Sequence, residues 1–398
     1  MDFVLNQGQQ RVVEAAVKWY TTSSKQVFQY SGSAGTGKSV VLNEIVKRLK
    51  IKKERILCVS YTGAAATVMR RKGLPNACTI HSAIYEPVTT VALDEMGKPK
   101  MDTYLNRPYT TTKWIRREFI KDIDLIVVDE AGMTPKDIAR DLESYGVKII
   151  ACGDLNQLPP ITGEPGYLAG YDDVYILDEI MRQAGDSGII YLANRALAKK
   201  PIQPGVYNNA IVLRKSEINL EQCKNAEVIL ATTNKDRDRI NQVMRKNFGI
   251  DSQFPVHGEP IICRRNNWSI QSDGISMVNG LRGRVYNYPD LSRMSKDRGL
   301  MIDFMADGNT LFKDLLIDME YFKADMRMKD IIKNQRFRTE YNKFELAYGL
   351  TVHISQGSQF DNGIFYEGSI FSNRENLIYT AITRFANRMI YVLPDKFY

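Results

Sequence analysis

A chain of 398 residues is long enough for two or more domains, and a hydrophobic share of 44% can fill real cores. No apolar run reaches bilayer length, the start MDFVLNQGQQ lacks the basic and apolar regions of a secretion signal, and five scattered cysteines (Cys58, Cys78, Cys152, Cys223, Cys263) form no C-x-x-C, which argues against a zinc site or a disulfide framework. Three dispersed histidines (His81, His257, His353) suggest no metal cluster, the thiols fit a reducing cytoplasm, and a formal net charge of +8 leans toward an anionic partner, nucleic acid being the commonest.

In chain order, Val27-Phe28-Gln29-Tyr30 reads as a short strand, and after Ser39 the residues Val41, Leu42, Ile45, Val46 and Leu49 fall at helical spacing. Between them lies GSAGTGKS, a G-x-x-x-x-G-K-S from Gly32 to Ser39 placed on a strand-to-helix turn. Gly32, Gly35 and Gly37 let backbone N–H groups approach an anion closely, and the helix N-terminus adds its dipole. Lys38 is then placed to reach β- and γ-phosphates and Ser39 to ligate Mg²⁺. A merely flexible Gly/Ser loop is the plain alternative, and the flanking strand and helix weigh against it.

RILCVS (55–60) reads as the next strand, followed by a helix over GAAATVMRRKG with a glycine stop. The alternation breaks at 84–122, where VTTVAL, DEMGKPK and MDTYL suggest a hairpin at 88–105 with Gly97 near its turn. DLIVVDE (124–130) and VKIIACGD (147–154) are apolar runs of buried-strand length, so the first third has the βαβ rhythm of a parallel sheet. VYIL (174–177), AEVILATT (226–233) and MIYVL (389–393) suggest a second α/β domain. Its helix KDRDRINQVMRKNFG would turn Ile240, Val243 and Met244 inward. GRVYNY, GLMIDFMAD-GN-TLF and LLIDM point to a small antiparallel insertion. A basic segment follows, with seven Lys/Arg against three Asp/Glu from Lys323 to Lys343.

LIVVDE puts acids at the end of a buried strand. Asp129 would hold Mg²⁺, and Glu130 would orient and deprotonate an attacking water. Alone, such a pair equally well caps the next helix. Behind a phosphate loop and in this order, the metal-and-base reading prevails. In ACGDLNQLPPI, Gln157 carries both a donor and an acceptor suited to sensing a γ-phosphate, with Asp154 to orient it, although Gly153, Asp154, Pro159 and Pro160 also make an ordinary turn.

The order of these motifs resembles superfamily-one DNA helicases, and within them the RecD-like branch that includes the phage Dda helicase. LNQGQ (5–9) resembles an adenine-reading Q motif, which points to Gln9. SYTGAAA (60–66) and TIHS (79–82) resemble motifs Ia and Ib, and VVDEAGM and GDLNQLPPI resemble motifs II and III. LDEIMRQ (177–183), LTVHISQGSQFD (350–361) and YTAITR (379–384) resemble motifs IV, V and VI. Two positions depart from the pattern: Ile354 stands where motif V usually has a lysine, and Phe385 where a small residue usually follows motif VI.

The resemblance implies two RecA-like α/β domains with ATP and Mg²⁺ in the cleft between them, a strand-separating pin in the first domain and an SH3-like insertion in the second. It implies boundaries of 1–172 for the first domain (84–122 being the insertion), 173–280 with 346–398 for the second, and 281–345 for the SH3-like module. The nucleotide set would be Gln9, Gly32, Ser33, Ala34, Gly35, Thr36, Gly37, Lys38, Ser39 and Gly357. Catalysis would rest on Lys38, Glu130, Gln157 and two arginine fingers, Arg182 and Arg384, with Ser39 and Asp129 at the metal. Single-stranded DNA would run past Thr62, Thr79, His81, Asn279, Thr351, His353 and Ser355. His81 reads equally well as a structural histidine, and VNG (278–280) as a plain hairpin turn. The expected activity is ATP-driven unwinding of DNA, 5′ to 3′, by a monomeric cytoplasmic protein (host cytoplasm if of phage origin). Single-stranded and fork DNA are its expected partners, with replication or recombination proteins as further ones and no membrane. An ATP-gated nucleic-acid switch, or a RecD-like subunit of a larger complex, is the alternative.

Overall fold

The computed structural model describes residues 4–395 apart from 75, 103–106, 109, 121, 161–162, 180–185, 274, 288–298, 326–327 and 330–340. It divides into two compact units, one of Met1–Ala83, Phe119–Met244 and Gly349–Tyr398, the other of Ile84–Glu118 and Arg245–Tyr348.

The first unit holds two six-stranded sheets. In the first, the strand order is Val174–Leu177, Val27–Gly32, Lys148–Gly153, Leu125–Asp129, Ile56–Ser60, Cys78–Thr79, and every pairing is parallel. A parallel sheet is covered on both faces, so its strands are apolar throughout rather than alternating. Leu125 to Val128 and all of Ile56–Ser60 are buried accordingly. Their carboxyl ends deliver the phosphate loop after Gly32, the Asp129-Glu130 pair and the loop after Gly153 to one edge, where open α/β sheets bind ligands. Behind that edge Val12, Phe28, Val41, Ile45, Val127 and Ile150 form part of one core.

The second sheet runs Gly205–Tyr207, Ala210–Arg214, Phe385–Leu393, Phe360–Tyr366, Ile229–Ala231, Gly349–Thr351. Only Gly205–Tyr207 is antiparallel to its neighbour. The helix Asn234–Asn247 packs beside it through Arg237, Asn241 and Met244. The expected inward Val243 is exposed, because Asn241 takes the inner position and holds the edge strand with both ends of its amide, to Gly349 N (2.8 Å) and Gly349 O (3.2 Å). Phe385, the departure noted above, is buried against Phe360 at the start of the last strand.

The second unit contains a five-stranded antiparallel sheet, ordered Thr310–Asp318, Gly299–Ala306, Arg282–Val285, Pro260–Cys263, Phe344–Leu346, around Phe304, Phe312 and Phe344. It also holds the hairpin of Tyr85–Val91 with Thr110–Arg116.

Three boundaries move. Val174–Leu177 pairs with the phosphate-loop strand, from Gln29↔Val174 to Gly32↔Leu177, so the chain is still in the first sheet at 173. The antiparallel insertion includes Pro260–Cys263, well before 281, because that strand pairs with both Arg282–Val285 and Phe344–Leu346. The hairpin's return arm is Thr110–Arg116 rather than MDTYL. The β-branched run TTTKWI pairs with Glu86–Val91, while Asp94–Lys98 closes a smaller turn with Gly97 at φ 73°. Most of the basic segment expected at 323–343 lies outside the described residues.

One close approach fixes how the helix Gly188–Leu197 meets the second sheet. A Cβ at Gly188 would lie 1.6 Å from the carbonyl oxygen of Tyr207. Gly188→Ala must therefore push helix and strand apart, at a cost of roughly 1–3 kcal/mol. Urea unfolding followed by circular dichroism checks this, and an unchanged midpoint would contradict the packing.

Candidate nucleotide site

The helix Gln7–Thr22 starts with a reciprocal cap: Asn6 Oδ1 accepts from Gln9 N (2.7 Å), and Gln9 Oε1 accepts from Asn6 N (3.1 Å). Gln9 Nε2 then donates to Thr36 O at 2.9 Å. The side chain expected to read adenine is buried, and in this arrangement one end of its amide caps its own helix while the other braces the phosphate loop.

Gly35 and Gly37 have φ of 83° and 82°, and Gly37 caps the helix Lys38–Leu49 without a side-chain hydrogen bond, leaving the helix N-terminus to an anion. Gly32 gives clearance instead, since a Cβ there would meet Thr36 Oγ1 at 2.4 Å. Lys38 Nζ donates to Gly32 O (2.6 Å) and Ser33 O (3.2 Å), so the ammonium is folded onto the loop it would share with a phosphate.

A cleft of about 270 Å³ opens over this loop, lined among others by Lys38, Ser39, Asp129, Glu130, Gln157 and Arg384. Glu130 sits at φ 51°, an uncommon left-handed conformation for a side-chain-bearing residue, and its backbone N–H donates to Asp129 Oδ1 at 2.9 Å. Burial, and then the neighbouring Glu130 charge, raise the Asp129 carboxyl above the usual range. Ser39 Oγ and the Asp129 carboxylate are hard oxygen donors on one wall, the donor type that suits Mg²⁺. Lys72, which the motif reading passed over, comes within 3.5 Å of Ser39 Oγ.

Arg384 enters from the second sheet. It is buried, donates to Thr380 O and Ser358 O at 3.2 Å each, and places Nη1 at 3.8 Å from Glu130 Oε1. Gln157 also faces the cleft, and its Oε1 is buried without a hydrogen-bond partner, a state that costs free energy unless something is to occupy it. Gly357, at φ 77°, closes the wall so tightly that a Cβ would lie 2.6 Å from Thr62 Oγ1. Arg182, the other expected finger, lies outside the described residues.

The expected DNA contacts divide. Thr62 caps the helix Gly63–Arg71 through Ala65 N (3.3 Å). His81 is half-buried beside the Tyr61 ring (5.6 Å), and burial lowers the pKa of both His81 and His353. Thr79 and Thr351 are buried, with hydroxyls accepting from Ser82 N and Ile354 N. Ser355 is fully buried and donates to Val352 O at 2.8 Å, which corrects its expected role: as placed, its hydroxyl supports a turn and does not face a phosphate. Asn279 belongs to the other unit, exposed beside Gly280 at φ 88°.

Several residues that tie the two sheets together at this cleft, Tyr379, Thr380 and Gln356 among them, were quoted in the motifs without a role, and Asn376 lies outside them. Tyr379 OH accepts from Ala34 N (2.8 Å) and donates to Asp154 Oδ2 (2.6 Å). Leu158 N donates to Thr380 Oγ1, Asn376 Nδ2 to Asn156 O, and Gln356 Nε2 to Leu158 O.

A family model described as an AAA domain matches residues 4–206. The ATP-dependent DNA helicase PIF1 of Saccharomyces cerevisiae is 30% identical over 42% of this chain and 20% of its own, so this chain spans only about a fifth of that relative. The ATP-dependent DNA helicase Pif1 of Campylobacter jejuni is 21% identical over 90% of this chain and 86% of its own. In fold, the Bacteroides Pif1 helicase solved with ADP-AlF3 and single-stranded DNA agrees at a TM-score of 0.54 and 17% identity, covering 100% of this chain and 94% of that one. With just over half its length inside the family model, this chain belongs to the AAA domain family, and over most of its length it is similar to the Pif1 helicase of Campylobacter jejuni.

Proposed function

We propose that this chain is an ATP-dependent DNA helicase that hydrolyses ATP in the cleft between its two α/β sheets and moves along single-stranded DNA from 5′ to 3′. The observation that carries the reading is the meeting of Glu130 and Arg384 from opposite sheets above the phosphate loop. A pure binding switch has no need of a base and a guanidinium at the same phosphate.

Each group has a task. The loop amides and Lys38 bind the phosphates. Glu130 takes a proton from the attacking water, while Gln157 orients that water through its unpartnered carbonyl. Arg384, planar and always charged, spreads the charge that develops on the transferred phosphoryl group. Ser39 and Asp129 would hold Mg²⁺, which supplies charge neutralisation at the phosphates when bound. Arg182 completes the set as a second finger.

Thr62, His81, His353 and the turn at Asn279 are the exposed or half-buried candidates for the DNA backbone, contacts that carry no sequence preference. The sequences LTVHISQGSQFD and YTAITR favour the RecD-like branch, near the phage Dda helicase. The protein works as a monomer on single-stranded and fork DNA beside replication or recombination proteins. The five free thiols fit a cytoplasmic setting, the host's if the chain is of phage origin. No described helix is long and apolar enough to cross a membrane.

Glu130→Gln keeps the shape and removes the base, so ATP turnover is expected to fall about 10²–10⁴-fold with ATP and DNA binding retained. A steady-state phosphate-release assay beside nucleotide binding checks it, and near-normal turnover would remove Glu130 from the role of base. The hairpin gives an independent test. Replacing Asp94–Met101 by a short Gly-Ser link leaves the cleft intact, so DNA-stimulated ATPase should persist while displacement of a labelled strand falls sharply. Equal loss of both activities would mean that the hairpin serves the fold or the track and does not separate strands.

A further inference from the structure

The hydroxyl of Tyr379 occupies a position that phosphate chemistry should want. It accepts from the N–H of Ala34, inside the phosphate loop, at 2.8 Å. Its own proton goes to Asp154 Oδ2 at 2.6 Å. The ring is 1% exposed on the helix Arg374–Ile382, which belongs to the second sheet. Burial, and then the Asp154 charge, hold this phenol well above its ordinary range.

The surroundings turn one contact into a linkage. Asp154 opens the loop that carries Gln157, and Asp154 Oδ1 accepts from Asn156 N at 2.9 Å. Asn156 Nδ2 reaches back to Ser33 Oγ in the phosphate loop at 3.0 Å, while Asn156 O accepts from Asn376 on the Tyr379 helix at 2.9 Å. One turn beyond, Thr380 takes the N–H of Leu158 at 3.0 Å, and its carbonyl holds Arg384 Nε at 3.2 Å. The phosphate loop, the Gln157 loop and the arginine are thus joined through one short helix. A phosphoryl oxygen carries charge and accepts a backbone N–H more strongly than a neutral phenol does.

We infer that Tyr379 is a positioning residue that reports phosphate occupancy: its hydroxyl holds the Ala34 amide until nucleotide arrives, yields it to a phosphate oxygen, and passes the change through Asp154 and its own helix to Gln157 and Arg384. The inference rests on the cleft being the ATP site. Two consequences follow from the competition. Removing the hydroxyl makes nucleotide binding easier, because nothing has to be displaced. It also makes hydrolysis worse, because Gln157 and Arg384 are no longer set by the exchange.

The test is Tyr379→Phe, which keeps the ring in its buried place and deletes both hydrogen bonds. Steady-state kinetics and binding of a fluorescent ATP analogue are expected to show KM and Kd falling about 3- to 10-fold while kcat falls by a similar factor or more. Asp154→Asn, alone and combined with Tyr379→Phe, completes a double-mutant cycle in which the kcat losses are non-additive. Weaker ATP binding would make Tyr379 a ground-state ligand and overturn the inference. So would additive losses in the cycle, or a lower unfolding midpoint without the split between KM and kcat. Wild-type protein that binds and turns over ATP, with Tyr379→Phe matching it in both constants, overturns this inference alone. Wild-type protein that binds no nucleotide overturns the reading of the cleft itself.

Discussion

The cleft depends on the crossing of one short helix from the second sheet onto the carboxyl edge of the first. A parallel sheet brings the phosphate loop, the Asp129-Glu130 pair and the Gln157 loop to one edge, and among the described residues of that half the cations lining the cleft are Lys38 and Lys72. The helix Arg374–Ile382 and the turn after it bring Tyr379, Thr380 and Arg384 to that edge, and Gly357 permits the approach because no side chain fits against Thr62. Remove the crossing and a nucleotide binder remains. With it, the groups proposed to accelerate phosphoryl transfer are shared between two sheets, so their spacing can answer to what either sheet holds.

Electrostatics sharpens this dependence. Asp129 is buried beside Glu130, and both effects resist its ionisation. Lys38 and Lys72 oppose them from the same cleft. Arg384 is itself buried and stands 3.8 Å from Glu130, so the proposed base and the proposed finger face each other as opposite charges. A polyphosphate entering this space brings charge that can draw Lys38 and Arg384 away from their internal partners. That exchange is the physical means by which binding can alter the distance between the sheets.

What the sequence disclosed was what is local. The phosphate loop lies between an apolar strand and a helix, and LIVVDE ends a buried strand on two acids, so both could be placed from a few consecutive residues. Pairings across long separations were not legible. VYIL looks like the first strand of a new domain because its partner lies some 145 residues earlier, at Gln29–Gly32. The hairpin's true return arm, TTTKWIR, carries no motif, and the weaker MDTYL drew attention by being closer to the turn. Burial misled at Ser355 and Thr351, where small polar residues read as surface donors but bond within their own turn. Tyr379 stood in plain view inside YTAITR. Its meaning comes only from Ala34 and Asp154, which lie 345 and 225 residues away in sequence.

Hydrolysis in this cleft is proposed to drive directional movement on DNA. Strand displacement from partial duplexes bearing only a 5′ or only a 3′ single-stranded tail tests it most directly, with ATP and with a non-hydrolysable analogue. ATP-dependent displacement is expected from the 5′-tailed duplex, little from the 3′-tailed one, and none with the analogue. No displacement from either duplex, by protein whose ATP turnover still responds to single-stranded DNA, would contradict it.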